Sequence, residues 1–197
     1  MTLALAVAFF SVAIPTFFTP GPNNLMLMAS TARFGFAPTL PHMAGICVGF
    51  PLMVLVVGLG LGEVFTQYPW LKTVLKYVAA ANFLWLAWTL LGFKIGAVGG
   101  PQRPLKFIEG LAFQWVNPKA WAMSVSLIAL LIPPGPDRVP MLMLLTLGCA
   151  AVGPFSSLTW MVFGQQLQLF LQRTGLERFL GAILAALMVV AVVLFLL

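Results

Sequence analysis

Six apolar runs, most of them close to the length that a membrane-spanning helix needs, make up most of this 197-residue chain. A helix needs about 20 apolar residues to cross the hydrocarbon core of a bilayer. Because the runs are continuously apolar and do not alternate, they favour helices over the strands of a membrane barrel. The runs cover residues 3–18, continuing after a break to residue 31, then 43–62, 73–93, 107–132, 141–164 and 179–197.

The composition agrees with a membrane location. Charged residues make up only 7% of the chain and the mean hydropathy is +1.06, whereas a soluble domain carries about 25% charged residues. The first ten residues contain no basic residue, so the first run is interpreted as a span and not as a cleaved signal. We therefore expect an all-α integral membrane protein, a bundle of about six transmembrane helices forming one domain over residues 1–197.

Basic residues lie mainly in the loops that follow the first, third and fifth runs. These loops hold Arg33, Lys94, Arg103, Lys106, Arg173 and Arg178, whereas the opposite loops hold Lys72, Lys76 and Arg138. The positive-inside rule predicts that the first set is cytoplasmic and that both termini lie on the outer side of the inner membrane. Anionic lipid explains the net charge of +6, so membrane lipid and not nucleic acid is the expected partner.

Proline interrupts two of the runs. The first contains "FTPGPNN", with Pro20, Gly21 and Pro22, and the fourth contains "FQWVNPKAWAM", with Pro118. Aligning Pro22 with Pro118 also brings a Gly-Phe-Pro of the second run near a Gly-Pro of the fifth. This pattern predicts two inverted three-helix repeats, about 1–96 and 104–197, with broken first and fourth helices, as in many secondary transporters.

Each break frees backbone groups that lipid cannot satisfy, so both breaks must face protein or water. A helix restarting at Asn23 presents free N–H groups and a positive dipole end, which suit a carboxylate, and Asn23 and Asn24 add amides. The alternative is that Pro-Gly-Pro only ends a helix, that Asn23 caps the next one, and that nothing binds there.

The polar residues inside the runs provide further candidates. Lys119, the basic residue deepest in a run, follows Asn117 and Pro118 and is expected to bind substrate or carry a proton; alternatively, it snorkels or bonds freed carbonyls. Glu109, in the same run, is a second proton-coupling candidate or an ordinary interfacial carboxylate. Asn82, midway along the third run, either lines a cavity or bonds a neighbouring helix.

Several classes of protein are disfavoured. The chain has one histidine, no nucleotide-binding glycine-lysine loop and no zinc-protease motif, so neither an ATP-driven pump nor an enzyme is expected, and no cofactor or metal is predicted. Cys47 and Cys149 lie inside runs and are interpreted as packing residues. Gly45 and Gly49 have the spacing of close helix contacts, either within one protomer or between the protomers of a homodimer.

Taken together, "TPGPNN", "FQWVNPKAWAM" and "YPWLKTVLKYVAAANFLWLAW" resemble the LysE/RhtB family of amino-acid exporters over nearly the whole chain. The resemblance implies a six-helix inner-membrane exporter of amino acids or related small zwitterionic metabolites, coupled to protons. The family's motifs fall on Thr19, Pro20, Gly21, Pro22, Asn23 and Asn24, and on Asn117, Pro118, Lys119 and Ala120. Efflux of drugs or toxic metabolites, and a membrane scaffold that transports nothing, are the alternatives.

The resulting hypothesis places the substrate between the two breaks. Helix-end N–H groups and Lys119 would hold a carboxylate, unwound carbonyls would take an ammonium, and rocking of the two halves would alternate access. The identity of the metabolite is left open by the sequence.

Overall fold

The computed structural model describes residues 3–61, 103–133, 135–176 and 179–196, together with residues 67, 68, 70, 73, 74, 77, 81, 84 and 88. All elements with defined bounds in this part of the chain are helices. The third predicted run, including Asn82, lies largely outside it.

The first run is broken where its prolines predict. Helix α1 (Leu3–Phe18) ends just before the Pro-Gly-Pro segment, and α2 (Pro22–Phe34) begins at the second of these prolines. The two helices are bent by 48°. Proline suits the first position of a helix because the N–H that it lacks would have no partner there.

The second run forms a longer helix than its apolar residues predict. Helix α3 (Phe36–Val56) starts directly after Gly35 and continues into a π-helical turn, Val57–Leu61. Gly35 has a φ of 90°, a conformation that glycine adopts readily. The early start places residues 36–42, which were predicted to be a loop, on the helix.

The fourth run is also broken as predicted. Helix α4 (Phe107–Phe113) passes into a 3₁₀ turn, Gln114–Val116, and α5 (Pro118–Leu131) begins after Asn117. Asn117 has an extended backbone, with φ −90° and ψ 110°, so the helix stops there and restarts with proline at its first position.

Two further helices complete the described chain. Helix α6 (Arg138–Thr174) has 37 residues, a length of about 55 Å at 1.5 Å per residue. It extends beyond the predicted run 141–164 at both ends, because the less apolar segments 138–140 and 165–174 are also helical. Helix α7 (Leu180–Leu196) follows.

Small residues let these helices touch backbone to backbone. A Cβ added at Gly45 of α3 would lie 2.1 Å from the carbonyl oxygen of Phe107 on α4, and one at Gly164 of α6 would lie 2.2 Å from that of Met28 on α2. The Gly45 spacing therefore serves packing inside one protomer. The main apolar core is formed by α1, α3, α5 and α6, and includes Phe50 and Leu142.

Within the described residues, two helical stretches are long and apolar enough to cross a membrane, Phe36–Gly60 and Arg138–Thr174, and the bent pair α1–α2 qualifies as a third. The described part of the chain is thus an all-helical array with two or three candidate spans.

Candidate substrate-binding site

The two helix breaks lie side by side, although 91 residues separate the side chains that join them. The Asn23 amide nitrogen donates to the Gln114 side-chain oxygen at 2.8 Å, and the Gln114 nitrogen donates to the Asn23 oxygen at 3.2 Å. Gln114 is fully buried and also donates to the carbonyl of Gly110 at 2.9 Å. A reciprocal pair of amides therefore joins the start of α2 to the end of α4.

Lys119 makes a second link between the breaks. Its Nζ donates to the carbonyl oxygen of Thr19, just before Pro20, at 2.6 Å. The lysine stem runs over Gly21, where an added Cβ would lie 2.6 Å from the lysine Cδ. A residue with a side chain at position 21 would displace the lysine, so the glycine of the first break makes room for the cation of the second.

Side chains also satisfy the other carbonyls that the first break frees. The Asn24 amide donates to the carbonyls of Phe17 at 2.9 Å and Thr19 at 3.0 Å. The Ser156 hydroxyl, on α6, donates to the Phe17 carbonyl at 2.7 Å. The unwound backbone thus has polar partners inside the protein, as an apolar surrounding requires.

The starts of the two restarting helices differ. The Asn117 side chain, only 1% exposed, caps α5 by accepting a hydrogen bond from the Lys119 N–H at 3.1 Å. At the start of α2 the cap position is Gly21, with φ −171° and no side-chain cap. The first turn of α2 therefore keeps backbone N–H groups that no capping side chain occupies.

A cavity of about 50 Å³ lies between the breaks and two other helices. Its lining includes Gly21, Asn23, Asn24, Asn117, Lys119 and Ala120 from the breaks, and Cys47, Ser156 and Ser157 from α3 and α6. Lys119 is the one charged side chain among the described lining residues. A water molecule needs about 10–15 Å³ of such space, so the cavity suits a few waters or the head group of a small amino acid.

The three prolines of the predicted site are not among the residues that line this cavity. Pro22 and Pro118 are buried at the first positions of their helices, whereas Pro20 is exposed. Asn82 lies outside the described residues.

Glu109 does not line the cavity. It lies in the first turn of α4, where both carboxylate oxygens accept hydrogen bonds from the Arg103 guanidinium at 2.7 Å. One of these oxygens also accepts from the Lys106 N–H at 2.7 Å. This is the geometry of an ion-paired carboxylate at a helix N-terminus, which is the simpler of its two interpretations.

Four residues to which the sequence patterns assign no binding role contribute to the site: Gln114, Ser156, Ser157 and Cys47. Gln114 carried one signal, since it is a polar residue inside an apolar run three positions before Asn117. The two serines and Cys47 resemble ordinary helix-packing residues in sequence. Both cysteines are free, and the Cys47 thiol donates to the Ser157 hydroxyl at 3.7 Å.

Comparison with known proteins adds independent evidence. A family model described as LysE type translocator matches residues 14–197. A cysteine/O-acetylserine efflux protein of Klebsiella pneumoniae subsp. pneumoniae is 32% identical over 193 residues, covering 96% of this chain and 95% of the relative. Its counterpart in Escherichia coli strain K12 is 28% identical over 190 residues, covering 96% of each. No solved structure matches the chain.

The family match includes both helix breaks and every residue named above as lining the cavity. Several of the residues that carry the resemblance in sequence, among them Gly21, Asn23 and Lys119, also line the cavity. The chain belongs to the LysE-type translocator family and is accordingly a membrane transporter rather than an enzyme.

Proposed function

We propose that this protein exports amino acids, or closely related small zwitterionic metabolites, across the inner membrane. One observation carries the proposal: the two breaks meet around a small cavity in which Lys119 is the one charged side chain among the described lining residues. The relatives, named as efflux proteins for cysteine and O-acetylserine, support an amino-acid substrate.

Each end of a zwitterion has suitable partners in this cavity. The carboxylate would bind the Lys119 ammonium and the uncapped N–H groups at the start of α2, where the helix dipole also favours negative charge. The substrate ammonium would bind the Thr19 carbonyl oxygen of the unwound segment, which accepts from Lys119 and Asn24 in the structure. Both sets of groups lie at the first break, within reach of one small molecule.

Binding would also change a contact between the two breaks. In the structure the Lys119 ammonium is bonded to the Thr19 carbonyl. A substrate carboxylate would draw the ammonium away, and the released carbonyl would accept from the substrate ammonium. One internal bond is thus exchanged for two bonds to substrate, which links occupancy of the site to the contact between the halves.

Equivalent positions support the inverted repeat. When Pro22 is aligned with Pro118, Asn23 corresponds to Lys119, and each reaches across to a residue just before the other break. The helix contacts show the same correspondence between the halves. The second helix of the first half, α3, approaches α4 at Gly45, and its counterpart in the second half, α6, approaches α1 at Gly148, where a Cβ would lie 2.9 Å from the Phe9 ring. Two three-helix halves, 1–96 and 104–197, would rock about the site to alternate access.

Proton coupling would use Lys119. The Lys119 ammonium lies at the cavity and would exchange the Thr19 carbonyl for the carboxylate when substrate binds, whereas Glu109 is ion-paired with Arg103 outside the cavity. A titratable group inside a membrane bundle is the usual carrier of a coupling proton. In this scheme both chain termini lie on the outer side.

Two competing functions have less support. A drug-sized ligand needs a pocket of about 300 Å³ or more, whereas the cavity at the breaks measures about 50 Å³. A second cavity of about 270 Å³ is lined by apolar residues of α1, α5 and α6 and shares no lining residue with the first. A scaffold that transports nothing does not agree with membership of a translocator family.

The decisive experiment is efflux of a panel of labelled amino acids from preloaded proteoliposomes, with and without a proton gradient. We expect gradient-dependent loss of a small amino acid from liposomes with wild-type protein and none with Lys119→Met, which removes the charge but keeps the length of the stem. Lys106→Met, which removes a lysine outside the cavity, is the matched control. Normal efflux by Lys119→Met would contradict the proposal.

A further inference from the structure

The cavity has a second polar wall that belongs to neither break. Cys47 lies on α3 and Ser157 on α6, and the Cys47 thiol donates to the Ser157 hydroxyl at 3.7 Å. Both line the same cavity as Lys119 and Asn23. Sequence patterns give these two residues no role beyond packing, and the binding of a zwitterionic head group does not use them.

Ser157 differs from the other hydroxyl residues of α6. Thr146 and Thr159 donate to carbonyls four residues earlier in the helix, at 2.9 and 2.8 Å, which is the ordinary way to satisfy a hydroxyl there. Ser156 donates to the Phe17 carbonyl. Ser157 accepts from Cys47 but donates to none of the described residues, although it is only 4% exposed. Because a thiol is a weak hydrogen-bond partner and the contact is long, the Ser157 hydroxyl can donate to a molecule in the cavity instead.

We propose that Cys47 and Ser157 form the subsite for the substrate side chain and select amino acids with a short, uncharged side chain that carries oxygen or sulfur. This inference rests on the proposed amino-acid export. The Ser157 hydroxyl would donate to the side-chain oxygen or sulfur, and the polarisable Cys47 thiol would pack beside it. The aromatic ring of Phe50 and the thioether of Met123, which also line the cavity, limit the length of the side chain.

Charge excludes the other amino acids. A basic side chain would find no carboxylate among the described lining residues, and an acidic one would compete with the α-carboxylate for Lys119. A buried charge without a partner is costly. Aliphatic side chains would offer the Ser157 hydroxyl hydrogen no acceptor in the complex, and a site built to hydrogen-bond a polar side-chain atom discriminates against ligands that lack one.

The chain contains two cysteines, which permits a test that does not depend on transport. In membrane vesicles carrying the Cys149→Ala variant, Cys47 is the single thiol of this protein. A small methanethiosulfonate reagent should modify it through the cavity. We expect serine and O-acetylserine to slow this modification at concentrations about tenfold lower than alanine does, and lysine and glutamate to have no effect.

The outcomes distinguish this inference from the proposed function. Equal protection by serine, alanine and lysine would overturn the subsite while leaving the zwitterion site in place. Absence of protection by every amino acid would overturn both.

Ser157→Ala provides a second measurement. It should raise the serine concentration for half-maximal efflux about tenfold and leave that for alanine unchanged. Ser124→Ala is the matched control, because it removes a buried hydroxyl that bonds the Trp121 carbonyl and does not line the cavity. A parallel rise for serine and alanine in Ser157→Ala would contradict a role in selecting the side chain.

Discussion

The two helix breaks contain the same element, a proline that restarts a helix, but they provide different chemistry. At the first break the cap position is Gly21, so no side chain caps the N–H groups of α2, and the carbonyls of Phe17 and Thr19 accept from side chains instead of from the helix. At the second, Asn117 caps its own helix and Lys119 extends away from it towards the first break. One break thus contributes backbone polarity and the other contributes a charge.

This difference matters because the proposed substrate is itself a dipole. Two identical breaks would offer two equivalent sites for one end of a zwitterion. Asn23 in one break and Lys119 in the other occupy positions that the proposed repeat makes equivalent, and their different chemistry makes the cavity asymmetric.

Gly21→Ala should abolish efflux. The added Cβ would lie 2.6 Å from the Lys119 Cδ, so the lysine stem must shift and move its ammonium from the place where the substrate carboxylate would bind. Efflux from proteoliposomes, normalised to the amount of inserted protein, measures the effect. Gly153→Ala is the matched control, since its Cβ would meet nothing closer than 3.7 Å in the same cavity. Equal losses in the two variants would contradict a specific requirement at position 21.

Gln114→Leu should lower the free energy of unfolding by about 1–3 kcal/mol, because it leaves the Asn23 amide without its partner. Thermal unfolding in detergent measures this cost. In the double variant Asn23→Ala/Gln114→Leu the cost should be less than the sum of the two single costs, since both partners are then gone. Strict additivity would show that the amide pair does not join the breaks in solution.

Asn117→Ala should cost about 1 kcal/mol, the usual value of a helix cap, and Asn117→Ser should recover most of it by restoring a capping oxygen. The same unfolding measurement applies. The first break has no side-chain cap to lose, so the effect is expected only at the second. An equal cost for Asn117→Ser would indicate that the amide acts otherwise than as a cap.

Glu109→Gln should have the smallest effect. Its carboxylate is paired with Arg103 away from the cavity, so efflux should keep its dependence on the proton gradient. Measuring efflux with and without a gradient in this variant tests the choice of Lys119 as the coupling residue. Efflux that no longer responds to the gradient would transfer that role to Glu109.

Much of the local structure could be predicted because it depends on residues close in sequence. The ends of α1 and α4 and the starts of α2 and α5 follow from the Pro-Gly-Pro and Asn-Pro segments, whereas the single prolines Pro15, Pro51 and Pro154 lie inside helices without ending them. The ends of α3 and α6 were predicted less well. Apolar residues indicate the part of a helix that lies in lipid. The backbone hydrogen bonds extend further, back to Phe36 at the start of α3 and on to Thr174 at the end of α6.

Composition and proline geometry act locally, so the residues alone predict a helical membrane protein with two proline breaks and a lysine at one of them. Which groups meet depends on the folded structure. That Lys119 reaches the Thr19 carbonyl, that Gln114 pairs with Asn23, and that Cys47 and Ser157 share the cavity depend on the rotation and close approach of helices distant in sequence. Such contacts are set by packing between elements, which no local pattern of residues specifies.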